Sequence, residues 1–115
     1  MSESGMNNLE LKTGDALIVV DVQSDFLPGG SLAVPGGDEI VSVLNLYVDL
    51  FQSKGLPIFL TRDWHPVGHC SFEAQGGIWP DHCVRNTGGS RFATGLNVPE
   101  YTEVISKAVT LDQDA

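Results

Sequence analysis

ALIVVDV, residues 16 to 22, decides the fold. An unbroken apolar run closing on an acid is the pattern of a strand buried on both faces of a parallel sheet, and we read it as the first, central strand. Downstream, DFLPGGSLAVPGGDE is rich in glycine and proline and predicts a loop. DEIVSVLNLYVDLFQSKG then predicts a helix. Its Ile40, Val43, Leu44, Tyr47, Leu50 and Phe51 recur at three- and four-residue steps, with Glu39, Ser42, Asn45, Asp49 and Gln52 on the other side. Asp38 suits the N-cap, and Lys54 with Gly55 ahead of Pro57 suits the stop. PIFLTRD, 57 to 63, is the second strand. A strand, a helix and a strand of these lengths form a right-handed crossover, hence a parallel pair. EVISKA, 103 to 108, is a shorter third candidate. The expected class is α/β, a parallel sheet flanked by helices.

Parallel strands place their carboxyl ends on one edge, where open α/β sheets bind ligands. Asp21, Asp63 and Lys107 end the three strands. A carboxylate closing a buried apolar strand must be solvated, paired or protonated, so Asp21 is costly unless it serves a site. On the strand pattern alone, it could equally cap the following loop.

Between Trp64 and Tyr101 no periodicity survives, and a loop of that length in a compact domain points to function. It begins in RDWHPVGHCSF, 62 to 72, and includes WPDHC, 79 to 83. Asp63 and His65 are two apart, which in extended backbone points both side chains the same way. His82 is the natural third ligand, and His69 a fourth or a partner behind the first three. An Asp with imidazoles suits zinc first, with iron or manganese as alternatives, and three protein ligands leave a position open. The competing view has these as ordinary hydrogen-bonded histidines. All the histidines of the chain fall between 65 and 82, which weighs against it. Cys70 and Cys83 follow His69 and His82 and so point the other way in extended backbone, as small buried hydrophobes. Phe26, Trp64 and Trp79 lie in loops near the same edge. Flat ligands could stack there, although Trp64 reads better as cover for the sheet.

With 115 residues the chain suits one small domain, and no apolar run is long enough to span a membrane. Six basic against fifteen acidic side chains repel phosphate backbones and anionic lipid, which argues against nucleic acid and membrane partners and for a small-molecule ligand. The opening MSESGMNNLELKTGD lacks the cationic and apolar blocks of a secretory signal. Two cysteines without framework spacing suit a reducing cytoplasm.

Taken together, ALIVVDVQSDFLPGGSLAVPGGDEI, TRDWHPVGHCSF, WPDHCV and ISKAVTLDQDA resemble the nicotinamidase and pyrazinamidase branch of the isochorismatase-like cysteine hydrolases. The resemblance runs from Ala16 to the last residue. It implies hydrolysis of nicotinamide, or of pyrazinamide-like amides, to the acid and ammonia in NAD salvage. It assigns Asp21 as the base that activates a cysteine, Lys107 as its cationic partner, and Asp63, His65 and His82 as ligands of one divalent metal ion. Phe26 and Trp79 match positions that sandwich the pyridine ring, and the metal takes the ring nitrogen. The family's nucleophilic cysteine lies beyond the lysine strand. The expectation is therefore a polar tail over 1 to 15, then the N-terminal portion of a single hydrolase domain over 16 to 115, incomplete at its C-terminus, without that cysteine and inactive alone. Self-association into a homo-oligomer fits such a unit. Two other readings compete: a relative acting on another amide, although metal-free members lack the DWH and HCV knots, and a non-catalytic metal- or ligand-binding fragment that pairs with another chain.

Overall fold

The computed structural model describes residues 9 to 115. Three strands, β1 (Leu17–Val20), β2 (Ile58–Asp63) and β3 (Glu103–Lys107), form a parallel sheet in the order β1-β2-β3. One α-helix, α1 (Ile40–Ser53), makes the crossover between β1 and β2. The expected central position of the first strand is therefore corrected: among the described residues, β2 is central and β1 lies at an edge. Strand order depends on where β3 pairs, a contact made more than forty residues downstream of β2's start, and local pattern carries no record of it.

The core lies between the sheet and α1. Val19, Ile58 and Leu60 meet Val48 and Phe51, and Val22, Leu56, Ala93 and Leu96 close its ends. The buried stripe of α1 runs Val41, Leu44, Val48, Phe51, a three-and-four spacing rotated from the expected one. Val48 is fully buried, while Ile40 stays 48% exposed. The helix has more apolar residues than one face accommodates, so periodicity alone admits more than one rotation.

Burial of β1 on both faces is also corrected. α1 covers one face only, leaving Ile18 and Val20 each 61% exposed, with Ile105 of β3 exposed as well. Asp38 is not the N-cap: it sits inside a 3-10 turn, Gly37–Glu39, entered through Gly36 in the left-handed region, and the capping position falls to Glu39 without a side-chain bond. The stop is as expected. Gly55 adopts φ +65° while its N–H and that of Leu56 return to the carbonyls of Gln52 and Phe51, closing the last turn. Of the tail over 1 to 15, residues 1 to 8 lie outside the described residues; Leu11 packs on the core, and the Lys12 N–H donates to the Asp15 carboxylate.

The stretch from Trp64 to Tyr101 is held by short 3-10 turns, Glu73–Gln75 and Gly88–Ser90, and by isolated bridges that pair Gln23 with Phe92, His65 with Val84 and Phe72 with Trp79. These bridges fold an aperiodic segment back over the carboxyl ends of the strands.

Candidate metal centre

Register brings the strand-end charges together. β2 and β3 pair Asp63 with Lys107, and Asp21 follows β1 with φ +53°, a left-handed conformation that re-aims its side chain. Lys107 Nζ lies 2.8 Å from Asp21 Oδ2 and 3.6 Å from Asp63 Oδ1, and Thr61 Oγ1 donates to Asp21 Oδ1 at 2.8 Å. Burial pulls the Lys107 ammonium down, but its bond to Asp21 and the charges of Asp21 and Asp63 outweigh that and raise its pKa. It is a cation bound between two carboxylates.

His82 reaches this edge because its loop zips onto the residue after β2: the His65 N–H donates to the Cys83 carbonyl at 2.9 Å, and the Arg85 N–H to the His65 carbonyl at 2.8 Å. As a result one ligand atom from each of Asp63, His65 and His82 lies within 4.8 Å of the others. All three residues are buried. His65 Nε2 is 3.6 Å and His82 Nε2 4.0 Å from Asp63 Oδ2, too far for hydrogen bonds.

The donor set fits a divalent cation. His65 Nδ1 is 3.0 Å from the Ala108 carbonyl and His82 Nδ1 is 2.8 Å from the Pro80 carbonyl. A carbonyl only accepts, so each Nδ1 carries a proton, and Nε2 is the nitrogen that each ring turns toward Asp63. His65 Nε2 and Asp63 Oδ1 are buried without a hydrogen-bond partner. A buried polar atom left unsatisfied costs about 1 to 3 kcal/mol, and a cation held beside His65 Nε2 would remove that cost there. Burial pushes the Asp63 carboxyl up, yet the adjacent His65 imidazole and Lys107 ammonium outweigh it and hold the carboxyl below its ordinary value. Burial likewise pushes His65 down, and the contacts with Asp63 and the Ala108 carbonyl reverse this, leaving it raised.

His69 is not a fourth ligand. It stacks on His65 with ring centroids 4.1 Å apart, and both its nitrogens are engaged, Nδ1 with Ser71 Oγ and Nε2 with the Gln113 carbonyl, each at 2.7 Å. Phe72, 1% exposed and absent from the sequence expectations, packs its ring against His65, His69 and His82 at centroid distances of 5.5 to 5.7 Å. An apolar residue closing a polar knot was the signal for it.

Beside these three residues opens a cleft of about 430 Å³ lined by Phe26, Val34, Asp63, Trp79 and His82 among others. Both aromatic residues matched to the ring-sandwiching positions are thus in its wall. Trp64 is not: it carries the Arg62 guanidinium 3.6 Å above its ring. Cys83 is fully buried, and burial together with the charges of Asp63, Asp25 and Asp21 pushes its thiol far above the ordinary range. Cys70 Sγ approaches His69 at 3.9 Å.

An isochorismatase domain model matches residues 15 to 112. The chain belongs to the isochorismatase family. Within that family it is 43% identical over 107 residues to a nicotinamidase of Escherichia coli, an alignment covering 80% of this chain and 50% of the relative. The parallel sheet with its helix matches the fold of solved relatives. A pyrazinamidase of Pyrococcus horikoshii in complex with zinc superposes with a TM-score of 0.84 at 52% identity, over 87% of this chain and 55% of that one. A structure from L. infantum in complex with nicotinate gives 0.79 at 41%, over 87% and 50%. This isochorismatase-family chain spans about half the length of the curated relatives it matches. Among its described residues no helix is long and apolar enough to cross a membrane.

Proposed function

We propose that this chain carries the metal-binding and ring-binding half of a nicotinamidase, which hydrolyses nicotinamide to nicotinate and ammonia for NAD salvage in the cytoplasm. The observation that carries the reading is the meeting on one sheet edge of the Asp63, His65 and His82 group with the Asp21–Lys107 pair and a cleft walled by Phe26 and Trp79. The relatives support it, being nicotinamidases and a zinc-bound pyrazinamidase.

Asp63, His65 and His82 would hold one divalent ion, zinc first by donor type. When bound, that ion supplies a coordination position for a pyridine nitrogen, orienting and polarising the ring. Phe26 and Trp79 flank the ring and exclude water from its faces. Asp21, its two oxygens held by Thr61 and Lys107, is the base for a nucleophilic thiol. Neither cysteine written here takes the nucleophile's part, since Cys83 is sealed in a protonated state and Cys70 lies against His69 rather than Asp21. These 115 residues therefore bind the ion and ring without turning the amide over.

The test uses zinc-loaded protein and nicotinamide. Quenching of tryptophan emission on adding nicotinamide, lost in Trp79→Ala and His82→Ala, with ammonia release only from a chain extended through a downstream cysteine segment, is the expected result. Failure of the zinc-loaded protein to bind nicotinamide would overturn the ring-binding assignment. Turnover that disappears on replacing Cys70 or Cys83 would overturn the assignment of those thiols.

A further inference from the structure

The candidate ligands come from separate places, Asp63 and His65 from the end of β2 and His82 from a loop, and besides the direct bonds of His65 to Cys83 and Arg85 a second device ties the two sources together. We propose that the turn formed by Gln23, Ser24 and Asp25 is that device, with Gln23 and Asp25 as positioning residues for the metal ligands. The inference rests on the metal reading above.

Gln23 is fully buried, and its amide is satisfied on both sides. Its Oε1 accepts the Asp63 N–H at 2.8 Å, while its Nε2 donates to the Asp63 carbonyl at 2.8 Å and to the Ser90 carbonyl at 3.0 Å. Asp63 is thus gripped by both main-chain groups, which leaves its side chain little freedom to tilt. Two residues on, Asp25 Oδ2 accepts the Cys83 N–H at 2.8 Å. Cys83 adopts φ +48°, and a bond to its N–H stabilises the bend that presents neighbouring His82.

Asp25 is itself confined. A Cβ at Gly89 would collide with the Asp25 carboxylate, and one at Gly30 would collide with the Ser24 and Asp25 carbonyls. The turn is also tied to the segment from Arg91 to Ala93, by the Ser24 N–H to the Arg91 carbonyl at 2.8 Å and the Ala93 N–H to the Val22 carbonyl at 2.9 Å. Ligand sets bind ions tightly when partners behind the ligands fix their aim, and loss of such a partner weakens affinity about 10- to 100-fold.

Zinc affinity, measured by competition with a chromophoric chelator, and the visible absorption bands of the cobalt(II)-loaded protein test this, both read well below the melting temperature. Gln23→Met and Asp25→Ala should each weaken zinc binding about 10- to 100-fold and shift the cobalt bands. Asp25→Asn, whose amide oxygen can still accept the Cys83 N–H, should restore most of the affinity, which separates positioning from charge. A lower melting temperature with unchanged zinc affinity and unchanged cobalt bands would overturn the proposal. If Gln23→Met does not fold, the Asp25→Ala and Asp25→Asn pair decides. Absence of zinc binding by the unaltered protein would overturn the metal reading itself and this inference with it.

Discussion

Lys107 Nζ sits 2.8 Å from Asp21 Oδ2, although 86 positions separate the two residues in the chain. The bond exists because β1 and β3 flank the same strand in parallel and end at one edge. A lysine at that edge meets two carboxylates, and removing it leaves Asp21 and Asp63 facing each other without a cation.

That arrangement gives a coupling that can be measured. In a double-mutant cycle of Asp21→Asn and Lys107→Met, followed by urea denaturation, the pair should show a coupling of about 1 kcal/mol, modest because both side chains retain partial solvent access. Strict additivity of the two substitutions would show that the bond contributes nothing.

Metal loading should be visible as stability. With free zinc at about 100 times its dissociation constant, unfolding should cost about 2.7 kcal/mol more than in chelator. His65→Ala should abolish that increment and lower the zinc content found by elemental analysis. Unchanged content would remove His65 from the ligand set.

The two thiols should react differently. In folded protein Ellman's reagent should modify Cys70 readily, while Cys83, fully buried beside Asp25 and Asp63, should react only after unfolding. Rapid modification of Cys83 in the folded state would contradict its burial.

The uncovered face of the sheet should make the protein associate with itself. Ile18 and Val20 are each 61% exposed on an edge strand, a surface that favours pairing with another copy. Sedimentation velocity should show concentration-dependent association that shifts toward monomer in an Ile18→Thr, Val20→Thr double variant with unchanged circular dichroism. An identical sedimentation profile would place the contact elsewhere.

How much of this was legible in the residues varies by element. The crossover β1-α1-β2 could be read because strand and helix periodicities are local, and Gly55 stopped the helix where its left-handed φ allows. Asp21, Asp63 and Lys107 could be assigned to one edge because parallel strands share a direction. The pairing of Asp63 with His65 followed from an i, i+2 spacing, and His82 from the scarcity of histidines. Each of these rests on short-range geometry or on counting.

Other features required the folded chain. The exposure of Ile18 and Val20, the edge position of β1 and the rotation that buries Val48 depend on which surfaces pack together, and an apolar residue reads the same before and after it finds a neighbour. His69 read as either a fourth ligand or a partner behind the first three, and only its bonds to Ser71 and the Gln113 carbonyl and its stacking on His65 place it behind them. Gln23 and Asp25 gave no signal at all, because their importance lies in bonds to backbone groups 40 to 67 residues away. A backbone N–H or carbonyl is the same group at every position, so no pattern of side chains marks which one a buried amide will hold; only the packing of the distant loop against the strand end selects it.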